Sequence, residues 1–410
     1  MQAVGRAAGL AMAWLGISAT ALWLLGFGPP GLRLGDLGLP SFMPGTPPQT
    51  ASIPDRAAPT AADPSASPAL VSPSPSTTSR IALSGPASPA LVLDDTAVPF
   101  LNAAGREAYR TWLTVNLPRV FVVAPDGFYS GLSGGGGLPI ERLRTKALDQ
   151  CVASGTQGCA VYAENLSVTW AGRQSSPPAP PGPLISGPGY VFVPDERYIW
   201  HGPDTAKGVY VWAHGFNGPT NDVRGLQPQP HVRPFNNAGF DVLRFDRAPR
   251  TDSAEAAAAW MRDGLAQLRL QGYQFVIVGG QSRGGWNALQ MLDTSGAADA
   301  VVAVSPAAHG QGPGSRVSHQ LTDLRHIMDA MPPSRTRVAI VQFADDGFSA
   351  DPEWRAEMFR LNEMHLGDML MIDRPDGLIG HGAGGTYEFG QRFGACLLRF
   401  VLSQPPACPR

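Results

Sequence analysis

Residues 184–410 are predicted to form a mostly parallel α/β sheet covered by helices on both faces, preceded by a small α+β module. Three observations predict this. Short apolar runs alternate with stretches of helical spacing, the runs are apolar without interruption, and one of them leads directly into Gly280-Gln281-Ser282-Arg283-Gly284. Strands buried on one face alternate apolar and polar residues, whereas strands buried on both read as continuous apolar runs.

The series begins with Val209-Tyr210-Val211-Trp212-Ala213 and continues with Gly239 to Phe245. An Ala-rich helix, Ala254 to Leu270, then leads to the strand Phe275-Val276-Ile277-Val278. Val301 to Val304, Arg337 to Phe343 and Met369 to Ile372 complete the strands, and Tyr387 to Phe400 reads as a closing helix. Ahead of this block, 97–172 has the marks of a compact unit. Ala103 to Leu117 has helical spacing, Arg119 to Ala124 is a strand ending at the turn former Asp126-Gly127, Glu141 to Val152 is a helix, and Cys159 to Ala163 and Val168 to Trp170 are strands. The proline-rich stretch 173–183 links the two parts.

The N-terminal end is different in kind. From Ala7 to Phe27 the chain is apolar and uncharged, as in a signal peptide or a membrane anchor, so 1–28 is expected to direct export or tether the chain. Residues 29–96 are dominated by Pro, Ala, Ser, Gly and Thr, a composition too poor in apolar residues to fold and suited to a spacer. The four cysteines fit an oxidising compartment, periplasmic or extracellular. Three pairings are possible, and the local ones, Cys151 with Cys159 and Cys396 with Cys408, are preferred. No C-x-x-C pair suggests a metal.

With a 43% hydrophobic share the chain can bury a substantial core, and a net charge of −2 with 16% charged residues provides no basic field to hold nucleic acid. No Walker A run, H-E-x-x-H or dinucleotide fingerprint is present, so no cofactor is expected.

G-x-S-x-G is a short pattern that recurs by chance, and Gly131-Leu132-Ser133-Gly134-Gly135 matches it too. Context separates the two. Ser133 lies in a run of glycines with no helix opening after it, while Ser282 stands between a buried strand and the helical stretch Trp286 to Leu292. That strand–turn–helix arrangement exposes a nucleophilic serine. A serine needs a base, and the base needs an acid to orient it; where the serine sits on such a strand–turn–helix elbow, the chain order is Ser, acid, His. His381, in a glycine-flanked loop after the last strand, is the base by position; His309, His319, His326 and His365 precede that strand. The acid should follow the penultimate strand, where Asp345 and Asp346 stand, with Asp346 favoured and Asp345 in reserve. Asp373 and Asp376 read as turn residues. One oxyanion N–H is expected from Arg283, directly after the nucleophile, and a second from the loop after Val209 to Ala213.

Three ordered motifs, His214-Gly215-Phe216, Gly280 to Gly285 and Gly380-His381, resemble the α/β-hydrolase superfamily over about 220 residues, with a core like those of dienelactone hydrolases and prolyl peptidases. The resemblance implies that Phe216 donates the second oxyanion N–H and that His214 shapes the loop. Separately, 97–172 resembles a small exported bacterial accessory module, which implies no chemistry of its own. The expected activity is cleavage of carboxylic esters, on a small molecule or a polymer, through an acyl-enzyme. The alternatives are a peptidase of the same fold, or an inactive scaffold binding envelope glycans. Few residues separate Ser305 from the helix near Leu321, too few for a large lid, so an open, shallow site is expected.

Overall fold

The computed structural model describes residues 91–134, 137–310, 317–349 and 351–409. The apolar segment 7–27, most of the 29–96 spacer and part of the Gly-Pro stretch after His309 lie outside them. No helix among the described residues is long and apolar enough to cross a membrane.

The described chain is a mixed α/β structure built on two sheets. The first has the order β2-β1-β3-β4, from β1 (Arg119–Val123), β2 (Tyr129–Ser133), β3 (Ala160–Glu164) and β4 (Ser167–Val168), all paired antiparallel. Helices α1 (Ala103–Trp112) and α2 (Ile140–Ala153) pack against it. Asn102 caps α1 by accepting from the Gly105 N–H at 2.9 Å. At the other end of α1 the fully buried Arg119 donates to the carbonyls of Trp112 (3.1 Å) and Leu113 (2.6 Å), placing a cation where the helix dipole favours one. A disulfide joins Cys151, in α2, to Cys159, just before β3, with Cα atoms 6.1 Å apart. Helix α1 stops at Trp112, short of the expected Leu117, because Thr114 to Leu117 turn away ahead of Pro118.

The second sheet has eight strands in the order β12-β11-β10-β9-β7-β8-β6-β5. Its hairpin, β5 (Ile185–Gly187) and β6 (Tyr190–Pro194), was not expected from the sequence, since three and five residues around Gly187-Pro188-Gly189 are too short to show a period. The hairpin and the β6–β8 pair are antiparallel; β7 (Gly208–Ala213), β8 (Phe240–Arg247), β9 (Val276–Gln281), β10 (Ala300–Val304), β11 (Arg337–Gln342) and β12 (Asp368–Asp373) pair in parallel. Alternate residues serve opposite cores. Val209, Val211 and Ala213 join Val276, Val278, Val301 and Val338 on one face; Tyr210 and Trp212 join Ile277, Val302 and Ala339 on the other. Helices α4 (Ala254–Leu270), α5 (Arg283–Gln290), α6 (Gln320–Asp329) and α7 (Pro352–Leu361) cover the first face, and α3 (Arg233–Asn237) and α8 (Tyr387–Val401) the second. This two-sided burial is why the strands lack polar alternation. Cys396, in α8, is disulfide-bonded to Cys408, Cα to Cα 5.1 Å, tying the C-terminal tail back to the helix.

Candidate functional site

The carboxyl ends of parallel strands gather the candidate residues. Strand β9 ends at Gln281 and α5 starts at Arg283, so the turn is made by Ser282 alone. Its backbone has φ 56° and ψ −124°, a region that costs a non-glycine residue about 1–3 kcal/mol. The strain is held by three backbone hydrogen bonds: Ser282 N–H donates to the Val304 carbonyl at 3.0 Å, and its carbonyl accepts from Trp286 N–H at 2.9 Å and Ala307 N–H at 3.1 Å.

Glycines make room for this turn. A Cβ on Gly284 would collide with the Ala213 carbonyl and lie 2.9 Å from the His214 oxygen, so α5 approaches β7 with no space for a methyl group. Gly284→Ala is expected to cost about 1–3 kcal/mol, seen as a lower denaturation midpoint at unchanged m-value. An unchanged midpoint would mean that this close approach is not needed. Ser133, in contrast, is an exposed residue ending β2, and the next helix does not begin until Ile140.

His381 and Asp346, 35 residues apart, are brought together by a short parallel bridge. Ala344, just after β11, pairs with Ile379, and Gly380 N–H donates to the Ala344 carbonyl at 2.7 Å. His381 Nδ1 then lies 2.9 and 3.0 Å from the two Asp346 oxygens. Asp346 is carboxylate acceptor only, so Nδ1 carries the proton and Nε2 presents its lone pair. Nε2 is buried and has no hydrogen-bond partner among the described residues. Phe348 packs on the imidazole with ring centroids 4.4 Å apart, and its N–H donates to Asp346 at 2.9 Å. Asp345 is exposed, at φ 52°. Asp351 caps α7 by accepting from Trp354 N–H at 3.0 Å. Asp373 closes β12 and pairs with Arg374 at 3.0 Å.

Gln281 links the two halves of the site: its Nε2 donates to the His381 carbonyl, and its Oε1 accepts from Gln229. The histidine loop is thereby tied to the residue beside Ser282. Arg283 opens α5, where a backbone N–H has no intrahelical acceptor. The His214–Gly218 loop after β7 lies alongside, since a Cβ on Gly215 would be 3.5 Å from the Ser282 Cβ. The Phe216 ring sits 5.1 Å from the Arg283 guanidinium, which donates to the Ala308 carbonyl at 2.6 Å. Phe216 and Arg283 are therefore neighbours at the Ser282 turn. Missing from the sequence reading were Gln229, Gln281, Phe348, and the buried Arg247, Asp252 and Arg355. Gln281 stands inside the Gly280–Gly284 motif at an unspecified position, Arg247 ends β8 and Arg355 lies within α7, and none of the six carries a pattern that separates it from an ordinary residue of its element.

Two histidines near the site are buried and neutral. Burial, then the charge of Arg247, lowers His214 to about 3, and burial lowers the fully enclosed His231 to about 4. Below the ordinary value of 6.5 the unfolded chain binds protons that the folded chain refuses, so stability falls as pH drops. Between pH 6.5 and about 4 each histidine should contribute a loss of about 1.4 kcal/mol per pH unit. His231→Gln is expected to flatten the pH dependence of denaturant unfolding over that window. An unaltered slope would show that His231 protonates in the folded chain.

No protein-family model matches the chain, and no curated protein does. Among solved structures, an esterase of Pyrococcus furiosus overlays 52% of this chain and 86% of its own at 13% identity and a TM-score of 0.37. A truncated carbohydrate esterase from gut microbiota overlays 55% and 95% at 13% identity, TM-score 0.39. A puromycin-hydrolyzing peptidase of Mycobacterium tuberculosis overlays 60% and 44% at 15% identity, TM-score 0.39. These overlays are partial, and the chemistry of the site stands on its own geometry.

Proposed function

We propose that this chain is a serine hydrolase of carboxylic esters with an α/β-hydrolase catalytic domain over 184–410. The observation that carries the reading is Ser282 held at φ 56° between β9 and α5, with the His381–Asp346 pair tied over the same strand end. Ser282 Oγ attacks the ester carbonyl carbon as its proton passes to His381 Nε2, and the carbonyl π electrons move to the oxygen. The backbone N–H groups of Arg283 and Phe216 are assigned to that oxyanion. Collapse breaks the bond to the alkoxy oxygen, which leaves with the proton from Nε2. Water then gives a proton to Nε2 and attacks the acyl carbon; collapse breaks the bond to Ser282 Oγ, which takes the proton back from Nε2 as the acid leaves. Asp346 keeps the imidazole in one tautomer and stabilises its charged form.

The short connection between Ser305 and α6 favours short acyl groups or acyl groups borne on a polymer. The two local disulfides and the apolar 7–27 segment favour a place outside the cytosol, either free or tethered. Residues 97–172 are assigned an accessory role. Hydrolysis of p-nitrophenyl acetate, butyrate and octanoate tests the reading: turnover falling from butyrate to octanoate is expected. Fastest turnover on octanoate would overturn the shallow-site assignment, and no turnover on any ester or fluorophosphonate would overturn the activity.

A further inference from the structure

Beneath the His214–Gly218 loop lie charged groups that this mechanism leaves unused. Arg247, the last residue of β8, is fully buried. Its backbone N–H donates to His214 Nε2 at 3.0 Å, and its guanidinium donates to the His214 carbonyl at 2.7 Å. His214 Nδ1 lies 2.6 Å from the Gly215 carbonyl. Acceptance at Nε2 and donation from Nδ1 define one neutral tautomer. The imidazole is thus clamped between the next residue of its own loop and the end of β8. Asp252 supplies the countercharge, with its carboxylate 3.1 Å from Arg247 Nε and both side chains fully enclosed. Burial holds both Arg247 and Arg283 below the ordinary arginine value, and the Asp252 carboxylate opposes that shift in each.

We infer that Arg247 is a positioning residue for the oxyanion loop, fixing Gly215 and Phe216 beside Ser282 through its contacts with the ring and carbonyl of His214. The inference rests on the reading of Ser282 as nucleophile. Oxyanion donors work only if they are oriented before charge develops, and small misplacement of a donor is costly. A loop flanked by Gly215 and Gly218 has little stiffness of its own. The guanidinium supplies stiffness from outside, because it donates to the His214 carbonyl while its charge stands 3.1 Å from the Asp252 carboxylate. A lysine ammonium, a single point of charge on a flexible stem, does not reproduce that rigid placement.

The test compares wild type, Arg247→Lys and Arg247→Met in the full chain, measuring kcat and KM for p-nitrophenyl butyrate and the inhibition constant of phenylboronic acid. Boronate bonded to Ser282 Oγ is tetrahedral and places an oxygen where the oxyanion forms. For Arg247→Met, kcat should fall about 10- to 100-fold with KM within twofold, and the boronate inhibition constant should rise by a similar factor. Arg247→Lys should fall between that variant and wild type. A variant that merely loses folded protein lowers apparent kcat but leaves the inhibition constant unchanged, and that pattern would overturn the inference. So would wild-type values for both constants in Arg247→Lys and Arg247→Met. Should Arg247→Met fail to fold, Arg247→Lys alone decides between these outcomes. Wild type that neither turns over ester nor binds boronate would instead remove the nucleophile reading on which the inference stands.

Discussion

Ser282→Ala is expected to lower kcat for p-nitrophenyl butyrate by about a millionfold, while Ser133→Ala leaves it within twofold. Removing the nucleophile closes the acyl-enzyme route entirely, and what remains is the effect of binding and oxyanion donors on direct attack by water. Both serines match the same five-residue pattern, yet their surroundings differ. Ser282 holds a strained backbone angle that only a surrounding hydrogen-bond set can maintain, and Gly284 lets α5 pack against β7 with no room for a methyl group. Ser133 is the exposed last residue of the half-buried strand β2, in an unstrained position with no helix opening directly after it. Steady-state turnover of the two variants, normalised by their folded fraction, checks this. Equal loss in both would mean that position in the fold does not select the nucleophile.

Asp346→Asn is expected to lower kcat by about ten thousandfold, with Asp345→Asn within twofold of wild type. An asparagine at 346 can offer its amide N–H to His381 Nδ1, turning the imidazole to the tautomer whose Nε2 bears the proton and cannot act as base. The native carboxylate accepts from Nδ1 through both oxygens, at 2.9 and 3.0 Å, and is buried, so water does not replace it readily. Asp345 faces solvent. The folded fraction, read from denaturant unfolding, separates orientation from folding: loss of orientation lowers kcat per folded chain, whereas loss of folded protein leaves kcat per folded chain unchanged. Full activity in Asp346→Asn would move the acid elsewhere.

Much of the larger sheet was legible because its strands are buried on both faces. Val301 to Val304 or Arg337 to Val341 have no soluble alternative, and the ends found for these strands differ from those expected by a residue or two. The β5–β6 hairpin was not legible, since strands of three and five residues around Gly187-Pro188-Gly189 carry no measurable period. The site shows the same division. Ser282, His381 and Asp346 could be named because chain order and strand ends confine them to a few positions. The meeting of His381 with Asp346 depends on the Ala344–Ile379 bridge, a contact between loops that leaves no periodic trace. Arg247, the last residue of β8, and Asp252, in the turn that follows, read in the sequence as ordinary polar residues; only packing reveals that they are enclosed.

Activation of Ser282 by His381 is tested by mass analysis of the full chain after reaction with a fluorophosphonate under oxidising conditions. One adduct per chain is expected, located on the peptide carrying Ser282, absent in Ser282→Ala and formed far more slowly in His381→Gln. An unmodified wild-type chain, or an adduct on Ser133, would contradict it.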